Sequence, residues 1–465
     1  MNYPPPISPT PRGTIIPRAL TPLVNTSIQG STPPALETVN RALLPGWTCS
    51  THIFQAAMLR DSPPPGPSAR TPIPSEIGKA ERQALADAKF SKIKELRGAI
   101  SSQSRSFPKN DAKLWMVVNR YAPDKPRVGA SPAVTIILTH GSGFHKEIWE
   151  TTLRYLLSTF QGQASIDEIW ALDAVNHGDS GILNKDNLGE IFEWSDGTRD
   201  ILNFITNYLP DKIEDGHVDR NLSRISEQAA QQRLQHGFKD RAIVGIGHSF
   251  GGSTLTRAVI ESPQLFSSII LVDPVIYASY VNRGPGNDAL AKCAIIRRDH
   301  WPDRESAKSG FVKSPFFQTW HPDVLADYIK YGIVEDEQGA RLKCSGYQEA
   351  VIYGESSRLP CEVWELLPTL DERIPIKWIM DSTRAEGSLY AHLLLHFQTV
   401  LLIFSGMSRT GGPEHTRHTV WRRPSNSTNT QIKGTTHLVP LEAPEALARE
   451  ILDFIQMHHR VKSKL

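Results

Sequence analysis

The stretch Ala242-Ile243-Val244-Gly245-Ile246-Gly247-His248-Ser249-Phe250-Gly251-Gly252 constrains the fold more than any other part of this chain. An apolar run breaks into Gly-x-Ser-x-Gly and a helical pattern follows, the arrangement that lifts a serine hydroxyl above a parallel sheet at a sharp strand-to-helix turn. Backbone at such a serine is strained, and side chains two residues to either side would collide, so Gly247 and Gly251 remove them. The pattern alone is cheap: at ordinary Gly and Ser usage it arises by chance in roughly one chain of this length in six or seven. Its meaning depends on an oxyanion-binding loop upstream and on an acid and a histidine downstream.

The upstream loop is present. Ala133 to Thr139 reads as a buried strand that ends in His140-Gly141-Ser142-Gly143, and Ile166 to Leu172 reads as another, ending in Asp173-Ala174-Val175-Asn176-His177-Gly178-Asp179-Ser180. After the Ser249 turn and its helix, Ser267 to Val272 forms a strand that ends in Asp273-Pro274. Lys113 to Tyr121 is a further strand, Gly197 to Tyr208 a helix, and Ser75 to Ile100 an amphipathic helix. Strands alternating with helices imply a mostly parallel, doubly wound sheet. From about Tyr277 to Arg373 aromatics mix with charge in helical blocks, which predicts a helical cap over the carboxyl ends of the strands, its apolar and aromatic residues mostly self-packing core and in part the wall of an acyl pocket. Ile374 to Met380 and Thr399 to Phe404 are strand candidates, Gln431 to Gly434 leads into Thr435-Thr436-His437-Leu438, and Pro444 to His459 is a C-terminal amphipathic helix.

Two regions stand apart. Residues 1 to about 75 hold sixteen of the 34 prolines and predict a disordered or polyproline-like leader. Lys212 to Lys239, charged and glutamine-rich, reads as a solvated excursion. The expected organisation is therefore a leader over 1–75, a core in two parts, 76–276 and 374–465, and a cap over 277–373.

Composition removes several function classes. Lys and Arg number 51 against 49 Asp and Glu, so no global field favours nucleic acid or an acidic membrane. Cys49, Cys293, Cys344 and Cys361 are dispersed, without metal-site spacing or the density of a disulfide scaffold. The most hydrophobic internal span, Leu389 to Phe404, contains His392, His396 and Gln398 and is too short and polar to cross a bilayer. The final tripeptide Ser463-Lys464-Leu465 matches the address read by the peroxisomal import receptor.

A serine hydroxyl becomes a useful nucleophile only when a base takes its proton. Of the sixteen histidines, His437 has the right setting, on a loop between the last strand and the C-terminal helix. His248, inside the turn itself, reads as structural packing. The acid that orients the base is Asp273 or Asp381, each at the end of an apolar strand, and spacing alone leaves both open. The oxyanion calls for two backbone donors, the N–H of Phe250 just after the nucleophile and that of Ser142 in the His-Gly turn. Asp173, His177 and Ser180 are expected to shape the loop and hydrogen-bond the His-Gly turn.

His140 to Glu150, His177-Gly178-Asp179-Ser180, Gly247 to Gly252 and Asp273-Pro274 together resemble fungal α/β-hydrolases of toxin and secondary-metabolite pathways. That group is often peroxisomal and includes the acyl-CoA hydrolase of the mycophenolic acid pathway. The similarity runs from about Lys113 to His458 and extends to Arg297 to Trp301 and Trp421-Arg422-Arg423-Pro424. The resemblance implies an α/β-hydrolase fold with an inserted helical cap, Asp273 as the acid, and hydrolysis of an acyl-CoA thioester or related ester without cofactor or metal. A carboxylesterase or lipase, an acyltransferase and a non-catalytic ligand-binding member of the fold remain alternatives. The chain departs from the group in its leader, in Lys212 to Lys239 and in the stretch from Gly387 to Gly406.

Overall fold

The computed structural model describes residues 2–10, 13–24, 32–36, 40–66, 77–102, 110–125, 133–159, 166–211, 217–279, 286–355, 358–381 and 412–459. Among them the strands are β1 (Arg41–Leu44), β2 (Trp47–Gln55), β3 (Trp115–Pro123), β4 (Ala133–Thr139), β5 (Ile166–Leu172) and β6 (Arg241–His248). β7 (Ser268–Val272), β8 (His300–Trp301), β9 (Ile333–Asp336), β10 (Gly339–Leu342), β11 (Ile376–Asp381) and β12 (Ser427–Ile432) follow.

Nine of these form one sheet in the order β1-β2-β3-β5-β4-β6-β7-β11-β12. β5, β4, β6, β7, β11 and β12 are parallel to one another, while β1, β2 and β3 run antiparallel. The inner parallel strands β4, β6 and β7 are near-continuous Val, Ile and Leu runs because both faces are covered by helices, whereas the edge strand β12 is polar. Ile136, Ile137, Ile243, Val244, Ile269 and Ile270 are accordingly buried to 0% exposure. The β6 strand lies near the middle of the sheet, so its carboxyl end opens onto the site rather than onto an edge.

The expected disordered leader is corrected here. β1 and β2 form a hairpin about Pro45-Gly46, with Gly46 at φ +87°, and β2 pairs β3 along its whole length from Trp47↔Pro123 to Gln55↔Trp115. Residues nearer the start also dock. Tyr3 is buried and its N–H donates to Asn429 Oδ1 at 2.6 Å, while Arg257 Nη2 donates to the Arg18 carbonyl and Arg199 Nε to that of Thr21. Proline removes a backbone donor but keeps its carbonyl, so a proline-rich strap can be tied down by arginines reaching out from the core. The flanking prolines masked the strand from Trp47 to Gln55.

The cap is corrected as well. It carries the helices Gly286–Ile296, Arg304–Lys313, Pro322–Gly332, Gly346–Glu355 and Arg358–Leu366, but also an antiparallel sheet in the order β8-β10-β9. Strands of two and four residues are too short to print a period on the sequence. The Lys212 to Lys239 excursion includes the helix Glu227–His236, anchored by the buried Arg233 whose Nη1 donates to the Ile205 carbonyl. The expected strand at Thr399 to Phe404, the Gly387 to Gly406 stretch and Ser463-Lys464-Leu465 lie outside the described residues. No helix among the described residues is long and apolar enough to cross a membrane.

Removing the first 66 residues is expected to abolish the cooperative thermal transition, because β3 then loses its register partner and Asn429, Arg199 and Arg257 lose theirs. Circular dichroism melting of the truncated chain checks this; an unchanged midpoint would mean the segment is a passive leader.

Candidate active site

Ser249 sits between the last residue of β6 and the helix Phe250–Glu261, at φ +54° and ψ −118°, a conformation that non-glycine residues adopt only where the surroundings impose it. Its N–H donates to the Val272 carbonyl at 3.1 Å, and its own carbonyl accepts from Val275 and Ser253, each at 3.2 Å. Both glycines of the motif are sterically required. A Cβ on Gly247 would stand 2.8 Å from the Gly251 carbonyl oxygen, and one on Gly251 would stand 2.6 Å from that of His140. The helix thus rests directly on the ends of β6 and β4.

The structure brings His437 to Ser249. Its Nε2 lies 2.8 Å from Ser249 Oγ, and its Nδ1 lies 2.5 Å from Asp273 Oδ2. A carboxylate accepts, so Nδ1 carries the proton and Nε2 is the acceptor for the serine hydroxyl, the arrangement a general base needs. All three side chains are buried, with Asp273 at 0% exposure. Asp273 follows β7 at φ +39°, its N–H held by the Ile379 carbonyl at 2.8 Å. Of the two aspartates that spacing left open, Asp273 is the one in contact with His437. Asp381 ends β11 instead, and its carbonyl accepts from Tyr3 Oη at 3.3 Å.

The His-Gly turn packs onto this group. A Cβ on Gly141 would lie 3.2 Å from Ser249 Cβ and 2.7 Å from His248 Nδ1. The N–H of Gly143 donates to His177 Nε2 at 2.9 Å, as expected for a residue that holds the turn, and so is unavailable to a substrate. Ser142, one residue earlier, and Phe250, the first residue of its helix, are the candidate donors, and no earlier helical turn supplies a carbonyl to the Phe250 N–H.

Asp173 shapes the loop after β5, as expected, but its carboxylate bonds the segment after the His-Gly turn and not the turn itself. Its carboxylate accepts from the N–H groups of Lys146 at 2.8 Å and Asp179 at 2.9 Å and from Lys146 Nζ at 2.9 Å, which ties the segment after the turn to the end of β5. Lys146 is fully buried, and although burial opposes its charge, Asp173, Asp179 and Glu147 hold its ammonium well above the ordinary value. Ser180 Oγ accepts from the Val117 N–H at 2.8 Å, away from the turn.

His248 does more than fill space. Its Nε2–H donates to the carbonyl of His437 at 2.9 Å, so the motif's own histidine grips the loop carrying the base. Burial, and next the neighbouring His437, push His248 down to about 3, which keeps it neutral. Glu442 supports the same loop by accepting from the Thr436 N–H at 2.6 Å and hydroxyl at 2.9 Å. Neither role has a local sequence signal, since both join residues through loop closure.

A cavity of about 370 Å³ lies under the cap and reaches Ser142, Gly143 and Phe144. Trp301, Phe311, Phe317, Trp320 and Tyr328 form an aromatic wall continuous with Phe144, with Phe144 and Trp320 ring centres 5.8 Å apart. Arg297, Glu349 and Tyr353 also line it. Glu349 was not singled out from sequence; a carboxylate in the largely apolar run Ala350-Val351-Ile352-Tyr353 is the signal that could have found it.

This fold and site define a class, and the comparisons agree: residues 136–450 match the Alpha/beta hydrolase family model, and the chain belongs to that family. Among its relatives is the type I acyl-CoA thioesterase mpaH of Penicillium brevicompactum, 33% identical over 196 residues, covering 42% of this chain and 39% of that protein. The peroxisomal membrane protein LPX1 of Saccharomyces cerevisiae is 34% identical over 239 residues, covering 47% of this chain and 55% of its own. The matches thus span about half or less of these relatives' lengths. The solved structure of Lpx1, a peroxisomal alpha-beta-hydrolase, superposes with a TM-score of 0.56 at 20% identity over 89% of this chain and 90% of its own.

The buried histidines make a pH prediction. Burial is the first cause that lowers His140 to about 4, His248 to about 3 and His177 well below its ordinary value. The unfolded chain therefore binds more protons than the folded one below about pH 6.5, and stability is lost as pH falls from there toward 4. The melting midpoint is expected to be lower by several degrees at pH 4.5 than at pH 7, and to fall less in His248→Gln.

Proposed function

We propose that this protein is a serine hydrolase that cleaves an acyl thioester, of the acyl-CoA class, through Ser249, His437 and Asp273. The single observation that carries this reading is the pair of hydrogen bonds from His437, one to Ser249 Oγ and one to Asp273. The thioesterase name of the Penicillium relatives supports the substrate class.

In the proposed reaction Ser249 Oγ forms a bond to the acyl carbon while its proton passes to His437 Nε2. The negative charge on the carbonyl oxygen is held by the N–H groups of Ser142 and Phe250. The C–S bond then breaks, and the departing thiolate takes the proton from His437. Water next gives a proton to His437 and its oxygen attacks the acyl-enzyme; the ester bond to Ser249 breaks, the serine is reprotonated and the free acid leaves. Asp273 keeps the imidazole in its tautomer and stabilises its protonated form without itself taking the proton.

A peroxisomal setting fits the same reading, on the tripeptide Ser463-Lys464-Leu465 and the peroxisomal names of the yeast relative. The import receptor is then the partner for that tripeptide.

Ser249→Ala is expected to lower kcat on acyl-CoA substrates by at least about 10⁴-fold while leaving the melting midpoint near that of the parent. Asp273→Asn is expected to lose roughly 10³–10⁴-fold in kcat, and Asp381→Asn far less. Steady-state assays on acyl-CoAs beside p-nitrophenyl esters and triglycerides measure both and separate a thioesterase from a carboxylesterase or lipase. Full activity in Ser249→Ala would end the proposal.

A further inference from the structure

The cap cavity is not uniformly apolar. Besides its aromatic wall it is lined by Arg297, which follows the helix Gly286–Ile296, and by Glu349 and Tyr353, one turn apart on the helix Gly346–Glu355. Arg297 Nη2 lies 2.5 Å from Glu349 Oε2, but off the N–H line. As a result the Nε and Nη2 atoms of Arg297 and Oε2 of Glu349, all shielded from solvent, hydrogen-bond to nothing among the described residues. The other oxygen, Oε1, accepts from Tyr353 Oη at 3.0 Å. Burial, and after it Glu349, push the Tyr353 phenol well above its ordinary value, so it remains a donor.

A guanidinium can only donate and an ionised carboxylate can only accept, so a half-buried arginine and a buried glutamate whose shielded atoms have both capacities open are complementary to a group that does both. A hydroxyl is such a group: its oxygen accepts from Arg297 and its hydrogen is donated to Glu349. Glu349 would repel a free carboxylate placed against it, whereas a neutral hydroxyl meets both partners. The position is defined by Gly143, at φ +82°, where an added Cβ would stand 2.7 Å from Glu349 Oε1. Glu349 therefore adjoins the turn that offers the Ser142 N–H, at the carbonyl end of the cavity and not its far end.

We propose that the cavity selects acyl groups with an aromatic or similarly flat body that carry a neutral hydroxyl close to the scissile carbonyl, read jointly by Arg297 and Glu349. The proposal rests on the serine-hydrolase reading, which makes the cavity the acyl site. A cavity of this volume suits a ligand of that size, and a site whose buried polar groups are matched by a substrate hydroxyl rejects the analogue lacking it.

The test is equilibrium binding to the full chain carrying Ser249→Ala, titrated by calorimetry with phenylpropanamide, its β-hydroxy derivative and the analogue with a carboxylate at that carbon. The hydroxylated amide is expected to bind at least about tenfold more tightly than the other two. In the added double variant Arg297→Met/Glu349→Gln, which removes one charge of each sign, that ratio is expected to fall to within about threefold of one. Equal or tighter binding of either other ligand by the parent overturns the proposal, as does failure of all three to bind or an unchanged ratio in the double variant. If the double variant does not fold, the parent's ratio alone decides. Binding needs no turnover, so failure of the catalytic reading is seen separately, as absence of both ester cleavage and fluorophosphonate labelling of Ser249 in the unaltered protein.

Discussion

The close approach of one helix to two strand ends is the constraint on which this site depends. The helix Phe250–Glu261 begins so near the ends of β4 and β6 that neither Gly247 nor Gly251 has room for a methyl group. That contact forces Ser249 to a positive φ, raises its hydroxyl clear of the sheet and leaves the first N–H of the helix unspent. Ser249 is also fixed from the other side, through hydrogen bonds to the Val272 carbonyl and from the Val275 N–H. The strain is thus shared with β7, whose end carries Asp273.

Around this turn the protein stacks neutral imidazoles. His140 accepts from the Ala174 N–H at 3.1 Å, His177 from that of Gly143, and His248 donates to the carbonyl of His437. Each joins two loops that are distant in the chain. Because burial keeps these three uncharged, they stiffen the loops without adding positive charge beside His437. Nearby, the buried ammonium of Lys146 is matched by Asp173, Glu147 and Asp179.

Much of the core was legible because parallel strands buried on both faces write themselves as apolar runs. β4, β5, β7 and the C-terminal helix fall within two residues of their expected bounds. The leader was misjudged for a compositional reason: prolines on either side of Trp47 to Gln55 hid the strand, and docking through backbone carbonyls such as those of Arg18 and Thr21 leaves no pattern at all. In the cap, the short strands β8, β9 and β10 were invisible among charges.

The sequence by itself determined the Gly-x-Ser-x-Gly turn and the His-Gly loop, because each is a local motif at a strand end where backbone sterics dictate residue type, and it singled out His437 from its place between the last strand and the C-terminal helix. The choice of Asp273 over Asp381 rests on contact, since both end neighbouring strands and only the loop's path decides which meets His437. The grip of His248 on that loop, and the meeting of Arg297, Glu349 and Gly143, were also decided only by the tertiary structure. Those contacts join residues between 52 and 206 positions apart, counting 349 − 297 and 349 − 143. Hydrogen bonds and packing over such spans follow from how the cap settles on the sheet, and no periodicity along the chain encodes that.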